Sequence, residues 1–170
     1  MARNDLKVFV YSNADHANSP DTSRLVTGCV LQLNGCSFQF KINTQKAATD
    51  DTRKLEPIAA SMCVEQFMWS RKLIAEIRLK QVLSELRIDN QSTITIYSNV
   101  GNYDGGIWYA KKSNKIAETV EKKDFTIRCV TTEDNVADIF TKALRPQRFE
   151  NLRQQLGVTS VLVMDTQQDA

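Results

Sequence analysis

Histidine is almost missing from this chain of 170 residues, since His16 is the only one. This excludes most histidine-based zinc sites and Ser-His-Asp triads, which need a well-placed imidazole. No apolar run approaches the roughly 18 to 20 residues that span a bilayer, and no apolar segment follows the first residues. We therefore expect a soluble intracellular protein of the cytoplasm or nucleus, with no membrane partner.

The chain also lacks a large excess of either positive or negative charge. Lys and Arg total 22 against 20 Asp and Glu, a formal charge of +2. This balance excludes a histone-like polycation, so any nucleic-acid binding has to depend on local patches. The four cysteines, which form no CxxC pair, lie in apolar runs and are expected to be buried structural thiols: Cys29, Cys36, Cys63 and Cys129.

The length and the 42% apolar content suit one globular core. We expect one domain over residues 1–158 and a tail over 159–170. Alternating residues predict strands over 6–12, 25–33 and 36–42, and Asn34-Gly35 predicts a hairpin between the second and third strands because a type I′ turn needs positive φ. The chain should open with a three-strand antiparallel meander.

The following segment has apolar residues at helical spacing. We expect a helix from near residues 53–55 to about Arg78, with Pro57 in its first turn and both Met62 and Trp69 in the core. Further strands are expected over 82–88 and 125–130, and further helices over 107–123, 135–144 and 146–156. Residues 93–97 follow a helix-capping segment, but β-branched propensity alone favours a strand there. The element order predicts an α/β fold with one mixed five-stranded sheet and helices on its faces.

Acidic or amide residues stand near the ends of several of these elements: Asn13, Asp15, Glu56, Asp89 and Asp138. Carboxylates that converge from distant elements are what two Mg²⁺ ions need, and such ions can cleave phosphodiesters without histidine. Since 20 residues are acidic, the spacing alone is compatible with this chemistry but does not establish it.

Four ordered motifs are much more specific. The first runs from Tyr11 to Ala17 and continues through Thr27-Gly28, the second is Thr52 to Ala59, the third is Asp89-Asn90-Gln91-Ser92, and the fourth is Thr132 to Lys142, which continues to Val158. Together they resemble the ribonuclease H domain of copia-type retrotransposon polyproteins over about residues 6–158. The resemblance implies a ribonuclease H-like fold and two-metal cleavage of RNA in RNA/DNA hybrids.

Carried over from that family, the catalytic positions are Asn13, Glu56, Asp89 and Asp138. The last three would ligate Mg²⁺ or Mn²⁺. Asn13 stands where the family has aspartate, and a neutral amide removes one of the charges that hold two cations close together. We therefore expect endonuclease activity to be impaired or lost, unless Asp15 substitutes.

Other departures from the family include His16 in place of tryptophan, Pro57 after Glu56, and the absence of a His-rich run. In its place stands a basic and aromatic segment whose residues could contact nucleic acid: Trp108, Lys111, Lys112 and Lys115. A solvent-exposed amphipathic helix is the alternative there.

Two further alternatives stay open. Asn99, after Thr93 to Ser98, could replace Asp89 as the third position if the segment before it is a strand. The domain could also be a non-catalytic derivative that acts through a protein partner instead of a nucleic acid.

Overall fold

The computed structural model describes residues 6–16, 25–44, 55–77, 81–98, 114, 116–122 and 125–159. The strands are β1 (Leu6–His16), β2 (Leu25–Leu33), β3 (Cys36–Thr44), β4 (Gln81–Ile88) and β5 (Thr126–Cys129). The α-helices with defined bounds are α1 (Leu55–Glu76), α2 (Gln91–Ser98) and α3 (Pro146–Gln155). Two short 3₁₀ helices precede α3, at Thr132–Asp134 and Val136–Phe140, and residues 116–121 are helical.

The strands form one mixed five-stranded sheet, as predicted, and their order in it is β3-β2-β1-β4-β5. The β1/β2 and β2/β3 pairs are antiparallel, whereas β1/β4 and β4/β5 are parallel. The β2–β3 turn has φ of 51° at Asn34 and 86° at Gly35, which confirms the hairpin. The meander at one side of the sheet and the parallel strands at the other meet at β1, which lies in the centre.

Side chains alternate along β1, so successive residues face opposite sides of the sheet, and other elements cover both sides there. Val8 and Val10 face α1 and pack in a core cluster with Phe67. Tyr11 points to the other face and packs in a second cluster with residues of the second 3₁₀ helix and of α3, among them Leu152. The sheet therefore holds α1 on one side and the 3₁₀ segment on the other, and β1 connects the two.

Gly28 of β2 allows the 3₁₀ segment to approach the sheet closely. A Cβ atom at this position would lie 2.9 Å from Thr141 Cγ2 and 3.0 Å from the Ala137 carbonyl oxygen, closer than van der Waals contact allows. Gly28 is the strand partner of Asn13. The absence of a side chain at Gly28 thus lets Thr141 lie beside Asn13.

Residues 93–97 are helical, so their β-branched propensity is overridden. The Asn90 side-chain oxygen accepts a hydrogen bond from the Thr93 backbone N–H at 3.2 Å, which caps α2. Tyr97, one turn later, is buried and donates its hydroxyl to the Pro57 carbonyl oxygen at 2.9 Å. The cap and this buried anchor favour the helix over the strand that propensity alone indicates.

The single helix expected over 135–144 is wrong, because the chain forms a short 3₁₀ helix at Val136–Phe140, preceded by another at Thr132–Asp134. Asn135, at φ −81° and ψ 95°, is extended and lies between them. Its side chain caps Ala137 N–H at 3.2 Å and donates to the Ser12 carbonyl oxygen at 3.0 Å. This buried anchor to β1 breaks helical continuity before Asp138.

Three burial predictions also need correction. Trp69 is 61% exposed, although Met62 is buried as expected, because Trp69 lies on the outer side of α1. Cys36 and Cys129 are exposed, while Cys29 and Cys63 are buried; all four are free thiols. Apolar spacing on a long helix does not define how wide its covered face is, and edge strands leave one side open.

Among the described residues, no helix is long and apolar enough to span a membrane.

Candidate functional site

The four predicted catalytic positions come from four separate elements. Asn13 lies in the second half of β1, Glu56 in the first turn of α1, Asp89 directly after β4, and Asp138 in the second 3₁₀ helix. The parallel pairing of β1 with β4 directs the ends of both strands to the same side of the sheet. Contacts among the side chains show that this end of the sheet brings the four together.

Asn13 is buried and contacts Asp138 directly. Its Nδ2 donates to Asp138 Oδ1 at 2.6 Å and to Thr141 Oγ1 at 2.5 Å. An ionised carboxylate can only accept hydrogen bonds, so the NH₂ group of the amide is the one that faces it. The amide therefore holds β1 and the 3₁₀ segment together at this point.

Asp138 is fully buried and binds two cationic side chains. Lys142 Nζ lies 2.8 Å from Oδ1, and Arg148 NH2 lies 2.7 Å from Oδ2. Burial raises the pKa of the Asp138 carboxyl above its ordinary value, and the negative charge of Asp89 adds to this. Lys142 and Arg148 act in the opposite direction. The position is thus a buried carboxylate stabilised by ion pairs from two elements.

Glu56 is the most perturbed carboxyl of the cluster. Its Oε1 accepts the backbone N–H of Ala14 at 3.3 Å, and its buried Oε2 has no hydrogen-bond partner among the described residues. Burial, then the charge of Asp89, raise the pKa of Glu56 from 4.5 to about 8. The hydrogen bond from Ala14 and the charge of Lys142 limit the rise. Glu56 is therefore mainly protonated near neutral pH.

Asp89 reaches the same cluster through Lys142. The Lys142 ammonium lies 3.9 Å from Asp89 Oδ2, so one cation connects Asp89 with Asp138. The alternative position, Asn99, lies outside the described residues. The strand that the alternative required is absent, because residues 93–98 belong to α2. This geometry favours Asp89 as the third position.

The donor set does not fit two divalent cations as it stands. Both oxygens of Asp138 are occupied by cations, Asn13 presents a donor where a metal needs an oxygen ligand, and Glu56 is mainly protonated near neutral pH. Within the described part of the chain, no three His, Cys, Asp or Glu residues are arranged to hold a metal ion. The metal-ligand roles of Glu56, Asp89 and Asp138 thus remain a prediction.

Sequence reasoning assigned no role to Lys142 or Arg148, although both lie in the fourth motif and its continuation. A signal was present, because Lys142 is four residues after Asp138 and such pairs often meet on a helix. The contact of Arg148 could not be inferred in this way, since Arg148 reaches Asp138 from α3. The predicted nucleic-acid contacts, Trp108, Lys111, Lys112 and Lys115, lie outside the described residues.

Comparison with known proteins finds retrotransposon polyproteins among the relatives. No protein-family model matches the chain. The chain is 25% identical over 150 residues to the "Retrovirus-related Pol polyprotein from transposon TNT 1-94" of Nicotiana tabacum. It is 24% identical over 149 residues to the Ty1-NL2 Gag-Pol polyprotein of Saccharomyces cerevisiae. These alignments cover 88% and 87% of this chain but only 11% and 8% of the polyproteins.

Solved structures with a similar fold are ribonucleases H. The N-terminal RNase H domain of Rv2228c from Mycobacterium tuberculosis has a TM-score of 0.53 at 13% identity, covering 88% of this chain and 98% of that one. RNase H1 from Halobacterium salinarum has a TM-score of 0.53 at 18% identity, over 79% and 93%. LC11-RNase H1, solved in complex with an RNA/DNA hybrid, has a TM-score of 0.54 at 13% identity, over 80% and 93%.

The chain has an RNase H-like fold and is similar in sequence to retrotransposon Pol polyproteins. The relatives show the similarity in sequence, and the solved structures show the fold. In this RNase H-like domain the four carried-over positions do meet, and the two cations among them are the feature that the sequence motifs did not predict.

Proposed function

We propose that this RNase H-like domain binds RNA/DNA hybrids and has lost two-metal cleavage of the RNA strand, or retains it only weakly. The observation that carries the proposal is the amide of Asn13 in the middle of the carboxylate cluster, bonded to Asp138 at 2.6 Å. Binding is supported by the fold shared with LC11-RNase H1, whose structure contains an RNA/DNA hybrid.

The loss of cleavage follows from charge. Two Mg²⁺ or Mn²⁺ ions, when bound in a ribonuclease H site, activate the attacking water and neutralise the leaving oxyanion. A neutral Asn13 supplies less charge to hold them, and Lys142 and Arg148 already neutralise Asp138. The residues that remain can bind and orient a nucleic-acid strand near the cluster. Its two most buried carboxyls are poorly suited to act as a base near neutral pH, because Asp138 is paired with two cations and Glu56 is mainly protonated.

The segment expected to contact the hybrid is basic and aromatic. Its lysines would neutralise phosphates and Trp108 would stack on a base or sugar. Substituting the three lysines by glutamine should weaken hybrid binding and reduce the slope of log K against log salt by about 3, since each phosphate contact contributes about 0.9. The substituted residues are Lys111, Lys112 and Lys115.

Binding and cleavage are measured together on one labelled hybrid. Binding is measured in EDTA by fluorescence anisotropy, and cleavage is measured with Mg²⁺ and with Mn²⁺. A triple lysine variant with the same charge change but at exposed positions elsewhere, Lys41, Lys72 and Lys122, is the control. Binding without cleavage is the expected result for the wild-type chain.

Other outcomes have defined meanings. Rapid cleavage that Glu56→Gln abolishes would contradict the loss of activity and would require another group to replace the missing aspartate. Absence of hybrid binding would contradict the proposal itself and would favour the protein-partner alternative. Asn13→Asp tests whether the loss depends on this one position, because it restores the missing carboxylate.

A further inference from the structure

The side-chain cluster around Asp138 occupies three of the roughly four lone-pair sites of that carboxylate, including sites on both oxygens. Oδ1 accepts from Lys142 Nζ at 2.8 Å and from Asn13 Nδ2 at 2.6 Å, and Oδ2 accepts from Arg148 NH2 at 2.7 Å. Asp138 itself is 0% exposed. A buried carboxylate with this many charge-assisted bonds has already recovered much of the cost of leaving water.

Both cations are held in place by contacts besides Asp138. Lys142 Nζ also lies 3.9 Å from Asp89 Oδ2. Arg148 NH2 also donates to the Thr132 carbonyl oxygen at 2.5 Å, which ties α3 to the first 3₁₀ helix. The two side chains are 29% and 28% exposed, so each lies between the buried carboxylate and solvent. They stand on the route by which an external cation would reach Asp138.

The charges of the cluster nearly balance. Its carboxyl groups are Glu56, Asp89 and Asp138, and its cations are Lys142 and Arg148, so the net charge is only −1 even with every carboxyl ionised. Replacement of aspartate by Asn13 is what brings the sum this close to zero. A divalent ion would add +2 to a site that already contains its counter-charges, and it would have to displace a buried ion pair.

We infer that Lys142 and Arg148 act as internal counter-ions that take the place of a divalent metal, which makes the carboxylate cluster a closed, metal-independent element of the fold. The cluster then stabilises the packing of the 3₁₀ segment and α3 on β1. Removing the two cationic side chains should reopen the cluster to an external divalent cation.

Thermal unfolding with and without Mn²⁺ tests this inference, because it requires neither a nucleic acid nor activity. The unfolding temperature of the full wild-type chain in millimolar Mn²⁺ should equal that in EDTA within about 1 °C, since a ligand that does not bind the folded state gives no shift. The double variant Lys142→Gln/Arg148→Gln should unfold at lower temperature in EDTA and regain about 5 °C or more in saturating Mn²⁺.

A matched control is Arg153→Gln. Arg153 lies on α3 like Arg148 but pairs with Glu150 at the surface, at 2.5 Å, away from the cluster. It should behave like the wild-type chain in both conditions. Calorimetric titration of Mn²⁺ into the double variant should show binding at least about tenfold tighter than to the wild-type chain, a difference that corresponds to about 1.4 kcal/mol.

Two results would overturn the inference. One is a clear Mn²⁺-dependent rise in the unfolding temperature of the wild-type chain that Glu56→Gln or Asp89→Asn removes, because the wild-type cluster would then bind metal. The other is a folded double variant that binds Mn²⁺ no better than the wild-type chain. If the double variant does not fold, the wild-type titration alone decides between a closed cluster and a metal site. Hybrid binding is not measured here, so failure of this inference is distinguishable from failure of the proposed function.

Discussion

The raised pKa of Glu56 predicts that this domain becomes less stable as the pH rises through neutrality. In the folded state the carboxyl has a pKa of about 8, against 4.5 ordinarily. The folded state therefore binds the proton more tightly than the unfolded state does. The stability that this provides is fully present below pH 4.5 and is lost as the pH rises through about 8.

The magnitude follows from the same two values. At about 1.4 kcal/mol for each pH unit, the interval from 4.5 to about 8 corresponds to about 5 kcal/mol of unfolding free energy. The dominant cause is burial and the second is the charge of Asp89, so the effect depends on the closed cluster. Glu56→Gln keeps the shape of the side chain and the acceptor for Ala14 N–H but cannot ionise.

The assay is urea unfolding in EDTA, followed by far-UV circular dichroism, at several pH values from 5 to 9. The unfolding free energy of the wild-type chain should fall across this range, whereas that of Glu56→Gln should be much flatter and should exceed the wild-type value above pH 8. Glu76→Gln, at the exposed end of the same helix, is the control and should follow the wild-type curve. Asp138, whose pKa is also raised, mainly by burial, contributes with the same sign and is common to all three proteins.

Two results would refute this reasoning. A wild-type stability that is constant between pH 5 and 8 would show that Glu56 has the same proton affinity in the folded and unfolded states. An equally steep fall in Glu56→Gln would show that another group causes the pH dependence.

Three further predictions concern stability and are measured by urea unfolding at pH 6. Gly28→Ala should lower the unfolding free energy by about 1–3 kcal/mol, because the new Cβ would lie 2.9 Å from Thr141 Cγ2. An unchanged urea midpoint would mean that the 3₁₀ segment moves away from β2 at little cost in free energy. Phe67→Ala should lower the unfolding free energy by about 3–5 kcal/mol, since its ring is buried and packs edge-on against a second ring at 5.8 Å. Leu73→Ala, on the exposed side of α1, should change the unfolding free energy little. Equal losses for the two variants would contradict the assignment of the core. Tyr97→Phe should lower the unfolding free energy by about 1 kcal/mol because the buried hydrogen bond from the hydroxyl to the Pro57 carbonyl oxygen is lost. A neutral result would mean that this bond does not anchor α2.

Only one of the two cationic partners of Asp138 could have been predicted from sequence patterns. The spacing of Lys142 is local, so an ion pair with Asp138 could have been considered from the sequence. Arg148 reaches Asp138 from α3 and also holds the Thr132 carbonyl oxygen, which depends on how α3 packs on the 3₁₀ segment. Motif matching identified the carboxyl positions because these are local strings of letters, but it contains no information about which side chains from other elements neutralise them.

The local features of the fold were determined by the sequence itself. Asn34-Gly35 specifies the β2–β3 turn because both residues take positive φ, and Pro57 places the start of α1 because proline is tolerated in the first helical turn. The resemblance of the motifs to a known family likewise indicated the four positions that the structure brings together, Asn13, Glu56, Asp89 and Asp138.

Tertiary structure decided the features in which distant groups compete. Residues 93–97 became helical because a buried hydroxyl anchor outweighs β propensity, and the segment after Asn135 became a short 3₁₀ helix because Asn135 is bonded to β1. Trp69 is exposed because no element covers that side of α1 among the described residues. The charge state of the cluster was decided in the same way, since burial and neighbouring charges, which exist only in the folded chain, determine whether Glu56 is protonated and whether Asp138 is paired.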